Sequence, residues 1–164
     1  MCGIAGLLDM SVGTSNDRLH ELCLSMTDRM FHRGPDDRGL WTDEKAGIAL
    51  GQRRLAIIDL APTGHQPMVS RDGRYVVTYN GEIYNYIEIR NKLEKCGKYF
   101  RTASDTEVLL EAWATWGEAC LEEFIGMFAF AIWDNQEKAL TCVRDRFGIK
   151  PLHYTVTRLS LIHI

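Results

Sequence analysis

A chain of 164 residues fits one ordinary domain with a real core and leaves no room for a second of full size. With 46% hydrophobic and 25% charged residues the composition is that of a folded globular protein, which argues against a disordered or membrane-embedded class. A net charge of -3 without any Lys/Arg run interleaved with aromatics argues against nucleic acid as a partner, and no apolar run approaches the roughly 18 to 20 residues that span a bilayer.

Along the chain, residues 4–8 form a short apolar run that predicts a strand, with Cys2 at its start. Leu19, Leu22, Cys23, Met26 and Met30 recur at helical spacing behind Thr14, Ser15 and Asn16, and Gly34-Pro35 closes that amphipathic helix. Residues 47–58 and 74–80 are rich in Ile, Leu, Val and Tyr and predict strands, separated by turn formers at Pro62, Gly64, Asp72 and Gly73. A helix is predicted over 84–95, ending at Gly97. A second follows Ser104, where Glu107 completes a capping box ahead of Val108, Leu109, Ala112, Trp113 and Trp116. The apolar runs 127–133 and 139–143, joined by a polar turn, predict a hairpin. Hairpin-paired strands flanked by helices imply antiparallel sheets in an α+β fold, not alternating βαβ units.

No charged leader followed by an apolar stretch opens the chain, so a cytoplasmic location is expected. The five cysteines, Cys2, Cys23, Cys96, Cys120 and Cys142, contain no C-x-x-C pair and are expected to be reduced, with all but Cys2 in apolar surroundings. The histidines show no metal-ligand spacing, and no metal site is assigned.

Cys2 stands out by position. Methionine aminopeptidases act where the second residue is small, which would leave Cys2 with a free α-amine. That amine has a reference pKa of about 7.7 to 8.0 and can serve a thiol nucleophile as its own base and acid. A second-position cysteine alone is a weak signal. It is joined by Cys2-Gly3-Ile4-Ala5-Gly6, His32-Arg33-Gly34-Pro35-Asp36 and Asn80-Gly81-Glu82-Ile83-Tyr84-Asn85, and with these three ordered motifs the chain resembles the class II, N-terminal-nucleophile glutamine amidotransferases. HRGPD, RLAIIDL, NGEIYN and SDTEV resemble the glutaminase half of asparagine synthetases, a likeness running from Cys2 to about Tyr154.

That resemblance implies a four-layer αββα fold with two antiparallel sheets, and glutamine as substrate. It implies Cys2 as nucleophile, with the Asn80 side chain and Gly81 N–H as the oxyanion hole, a type of donor worth about 3 to 4 kcal/mol. Arg54 matches the carboxylate-binding arginine, Glu82 and Asp105 the residues holding the amino end, and Leu55, Ile57 and Ile58 the pocket lining. Asn-Gly is also a common turn, and an aspartate in the first turn of a helix is stabilised by the macrodipole without any ligand. Strand alternation puts Arg53 and Arg54 on opposite faces, which predicts that one of them points to solvent.

The assigned domain is 2–154, and 155–164 departs from the family pattern as a tail. The segment RDRFGIKP at 144–151 resembles the passage toward a synthetase domain, which is expected as a partner in a full-length protein and absent here. ATP and magnesium are expected only for that domain, and no Gly-rich phosphate loop occurs in this chain. A truncated product, or an incomplete sequence whose last ten or so residues are foreign, is the expected origin, and truncation would leave apolar surface around Phe147, Ile149 and Leu152 uncovered, with a tendency to aggregate. A homodimer is allowed for the full-length family. The rival readings are a catalytically idle structural or regulatory domain, a glutaminase half serving a different ammonia acceptor, and another N-terminal-cysteine amide hydrolase.

Overall fold

The computed structural model describes residues 2–55, 64–156 and 161–163, the last as backbone only. The short apolar run after Cys2 becomes β1 (Gly3–Leu8), paired antiparallel with β3 (Ile48–Arg54) from Gly3↔Arg53 to Leu8↔Ile48. On the far side of β3 lies β2 (Asp37–Asp43), a strand the sequence did not predict. Its residues, DRGLWTD, are polar at both ends and do not alternate, so only pairing with β3 makes it a strand. β8 (Tyr154–Val156) and β9 (Leu161–His163) complete the sheet in the order β2-β3-β1-β9-β8, with β9 against Gly6, Leu7 and Leu8. Residues 155–156 and 161–163, within the stretch set apart in the sequence as a tail, thus contribute backbone to this sheet.

The second sheet has the order β4-β5-β6-β7, where β4 is Met68–Val69, β5 Tyr75–Ile83, β6 Gly126–Asp134 and β7 Ala139–Arg144. The predicted hairpin is β6–β7. Asp134 closes its turn by accepting from Gln136 N at 2.8 Å while gripping the Arg74 guanidinium at 2.7 Å.

Period-two alternation then sorts the cores. Ile48 and Leu50 face Val76, Ala131 and Trp133 between the two sheets, whereas Ala49, one residue away, turns outward to Leu19 and Cys23 of α1 (Asn16–Arg29). Val77, Tyr79, Phe130 and Ile132 face the opposite way, onto Ile89 and Leu93 of α2 (Tyr86–Lys95) and Val108, Leu109 and Trp113 of α3 (Asp105–Trp116). Trp113 meets Phe130 edge-on with ring centroids 5.9 Å apart, a core role as expected. Helix, sheet, sheet, helices is the four-layer αββα arrangement of the α+β N-terminal-nucleophile fold.

Two hydrogen bonds stitch the sheets across their interface. Gln52 Nε2 donates to the Tyr79 carbonyl at 2.8 Å, and Thr78 Oγ1 to the Gly51 carbonyl at 3.1 Å. The start of α3 differs in detail from a capping box. Ser104 caps Thr106 N as expected, but Glu107 reaches past Ser104 to the N–H groups of Arg101 and Thr102 at 3.0 and 2.7 Å. The bend before the helix presents those donors to a carboxylate that is itself buried, so the acid is used there.

Candidate active site

Cys2 sits one residue ahead of β1, where the ladder with β3 has just ended at Gly3↔Arg53. Its Sγ lies against the chain leaving β3, 3.4 Å from Leu55 N, which donates, and 3.6 Å from Leu55 O. Arg33 of the HRGPD motif donates its Nε to the Cys2 carbonyl at 3.1 Å and so anchors the N-terminal stretch from its other side. The glycine that follows is required by space: a Cβ on Gly34 would stand 2.4 Å from the Arg53 carbonyl carbon.

Across from Cys2 runs β5. Tyr79 N donates to Gln66 Oε1 at 2.7 Å and Ile83 N to Asp105 Oδ2 at 3.1 Å, because antiparallel β4 begins only at Met68, opposite Val77, and leaves this edge of β5 to side chains. Antiparallel alternation puts the Gly81 N–H on the same edge, between those two. Gly81 also lies so close to β6 that a Cβ would meet Met127 O at 2.4 Å. Asn80, 4% exposed, turns to the opposite face of the strand, toward the first sheet.

Cys2, Arg54, Leu55, Asn80, Gly81, Glu82 and Asp105 line one cavity of about 340 Å³, the size of a small-molecule site. Ile57 and Ile58 lie outside the described residues. The cavity also takes in residues the sequence did not single out, among them Gln66, Tyr79, Thr106 and Lys150. Gln66 carried no local signal. Lys150 belongs to the 144–151 segment, which was read only as a passage to another domain. It is 3% exposed, and its backbone N donates to Asp145 Oδ2 at 2.9 Å; the same carboxylate receives Phe128 N, Phe147 N and Ile149 N. That tight loop turns Lys150 inward to the cavity and leaves Phe147 89% exposed. Ile149 is exposed too, as expected, while Leu152 is half-buried.

Asp105 opens α3 and is 5% exposed. Burial pushes its carboxyl above the ordinary range, and the Tyr79 hydroxyl at 2.7 Å with Ile83 N pulls it back. Burial beside this carboxylate drives the Tyr79 phenol well above its usual value, so it remains a donor.

The expectation that one of Arg53 and Arg54 points to solvent is wrong: each is 9% exposed. They do take opposite faces, but both faces are covered. Arg53 lies under α1, donating Nε to Thr27 O at 3.2 Å, pairing with Asp28 and crossing the Phe31 ring at 5.3 Å, while Arg54 lines the cavity. Among the other cysteines, burial pushes Cys23 and Cys120 up to about 12 and Cys142 up to about 11, which leaves them protonated. Cys96 departs from expectation, being exposed just after α2. Among the described residues no group of three or more His, Cys, Asp or Glu could hold a metal, and no helix is long and apolar enough to cross a membrane.

The chain is 42% identical over 162 residues to asparagine synthetase [glutamine-hydrolyzing] 2 of Bacillus subtilis, covering 99% of this chain and 21% of that protein. It is 44% identical to asparagine synthetase [glutamine-hydrolyzing] 1 of the same organism, covering 94% and 24%, and 35% identical to Amidase chry2 of Gibberella zeae, covering 99% and 25%. The chain therefore spans about a fifth to a quarter of the length of these curated relatives. Among solved structures, the glutamine phosphoribosylpyrophosphate amidotransferase from B. subtilis superimposes with a TM-score of 0.77 at 19% identity, over 99% of this chain and 41% of that one, a likeness of fold. A family profile described as Glutamine amidotransferase domain matches residues 1–162, and the chain belongs to that family.

Proposed function

We propose that this domain hydrolyses glutamine to glutamate and ammonia. Cys2, freed of Met1, attacks the side-chain amide with its own α-amine as base, and the same amine then protonates the amide nitrogen, so that the tetrahedral intermediate releases ammonia and becomes a γ-glutamyl thioester, which water cleaves to glutamate and the free thiol. Asn80 and the Gly81 N–H meet the negative charge on the former carbonyl oxygen, Arg54 takes the substrate carboxylate, and Asp105 with Glu82 takes its ammonium.

The observation that supports this reading best is the convergence of Cys2, Arg54, Asn80, Gly81 and Asp105, from two sheets and a helix, on one cavity. A free amino acid requires a cation and an anion at one end of such a site and a nucleophile with oxyanion donors at the other. In a longer protein we assign this domain the supply of ammonia for asparagine formation from aspartate, with ATP and magnesium used by a synthetase domain. The similarity to a protein named an amidase favours one second reading, an N-terminal-cysteine amide hydrolase acting on another amide.

Glutamate release from glutamine, measured on protein whose N-terminal residue is checked by mass spectrometry, tests the proposal. Processed wild type is expected to turn over, to carry a thioester adduct in quenched samples, and to fall silent as Cys2→Ala. No turnover and no adduct with a free Cys2 terminus would sink it.

A further inference from the structure

Tyr79 takes no part in the chemistry above, yet it is held at three points. Its N–H is bound by Gln66 at 2.7 Å and its carbonyl by Gln52 at 2.8 Å, and its hydroxyl donates to Asp105 Oδ2 at 2.7 Å. The ring packs in the apolar core beneath α3 at 2% exposure, a place where phenylalanine would serve equally well for packing. What phenylalanine would lack is the hydroxyl, and that hydroxyl ends on a buried carboxylate that lines the cavity. Two donors, Tyr79 Oη and Ile83 N, converge on a single oxygen of Asp105 and fix the plane of the group.

We propose that Tyr79 is a positioning residue for the glutamine site, its hydroxyl fixing the Asp105 carboxylate that meets the substrate's α-ammonium. The proposal rests on the glutaminase reading. It predicts an effect on binding and on its pH dependence, and little on the chemical step.

The groups facing Asp105 around the cavity are Tyr79 and Glu82 on β5, Cys2 ahead of β1, Arg54 at the end of β3 and Lys150 after β7. Burial and Glu82 raise its carboxyl, whereas Tyr79 and Ile83 N lower it. Binding an ammonium needs the ionised form, so affinity is lost as pH falls through the carboxyl's pKa. Removing the hydroxyl raises that pKa further and moves the acid limb to higher pH.

Steady-state glutamine hydrolysis across pH by wild type and Tyr79→Phe tests this. The expected result is a KM raised roughly tenfold near pH 7.5, kcat within about twofold, and an acid limb of kcat/KM displaced upward. Tyr79→Phe should add nothing further to Asp105→Asn, since the two side chains act as one unit. An unchanged KM and acid limb, or a fall in kcat alone, would overturn the proposal. If wild type does not hydrolyse glutamine, the glutaminase reading fails, and the Asp105 carboxyl followed by ¹³C NMR still decides on Tyr79: an upward displacement in Tyr79→Phe supports it and no displacement overturns it. Should Tyr79→Phe not fold, the wild-type Tyr79 ring carbon bearing the hydroxyl must titrate together with Asp105, and independence of the two overturns the proposal.

Discussion

Arg53 and Arg54 are adjacent in sequence, equally buried, and bound to different surroundings. Arg53 braces α1 through a backbone carbonyl and an aspartate, and Arg54 faces the cavity that holds Cys2. The distinction follows from strand geometry, since successive side chains leave opposite faces and each face here has its own covering layer. In the carboxylate-binding role proposed for Arg54 the planar guanidinium would matter more than the charge, because it can grip a carboxylate with two parallel donors where lysine offers a point charge. Arg54→Lys is therefore expected to raise KM for glutamine by about tenfold or more, with a wild-type melting curve, as read from steady-state kinetics beside thermal unfolding. Equal losses from Arg53→Lys and Arg54→Lys would refute the division of labour.

Between β1 and α1 the chain turns around one carboxylate. Asp9 accepts from Ser11 Oγ at 2.5 Å, Thr14 Oγ1 at 2.7 Å, and the N–H groups of Ser11, Gly13 and Thr14. The Ser11 and Thr14 hydroxyls, followed by the backbone donors, hold its carboxyl below the usual range. A depressed folded-state pKa contributes stability that is present above the unfolded value of about 3.9 and lost as pH falls below it. Unfolding free energy measured from about pH 5 to pH 2 should therefore drop less steeply in Asp9→Asn than in wild type. The Asp145 loop follows the same logic at the cavity wall. Its backbone donors outweigh the burial that would raise that carboxyl, and in doing so they set where Lys150 enters.

The candidate site is assembled from parts that do not belong to one element. Cys2 and Arg54 come from the first sheet, Asn80 and Gly81 from the second, and Asp105 from the helix layer outside it. The inter-sheet core of Ile48, Leu50, Val76, Ala131 and Trp133 therefore does more than stabilise the fold, because it fixes the spacing between Cys2 and the pair Asn80 and Gly81. Leu50→Ala, at 1% exposure, is expected to cost about 2 to 5 kcal/mol in denaturant unfolding. Glutaminase activity should be lost along the same denaturant curve as the folded signal. Activity surviving into the unfolding transition would show that the two sheets need not stay together.

The three α-helices, the strands β1, β3, β5, β6 and β7 in their order, the capping serine of α3 and Cys2, Arg54, Leu55, Asn80, Gly81, Glu82 and Asp105 at the cavity were legible in the sequence. Each is carried by a local signal: an apolar period, a turn-forming pair, or a short motif whose spacing along the chain is itself the requirement. Only the tertiary structure decided that β2 is a strand, that both arginines are buried, that Glu107 serves residues 101 and 102, and that Gln66, Tyr79 and Lys150 share the cavity. These depend on partners far away along the chain. Cys2 meets Leu55 across 53 positions and Tyr79 meets Asp105 across 26, separations over which no periodicity or motif fixes which groups meet. Packing two sheets face to face does fix them, because each strand's alternation then sends one set of side chains into a shared space.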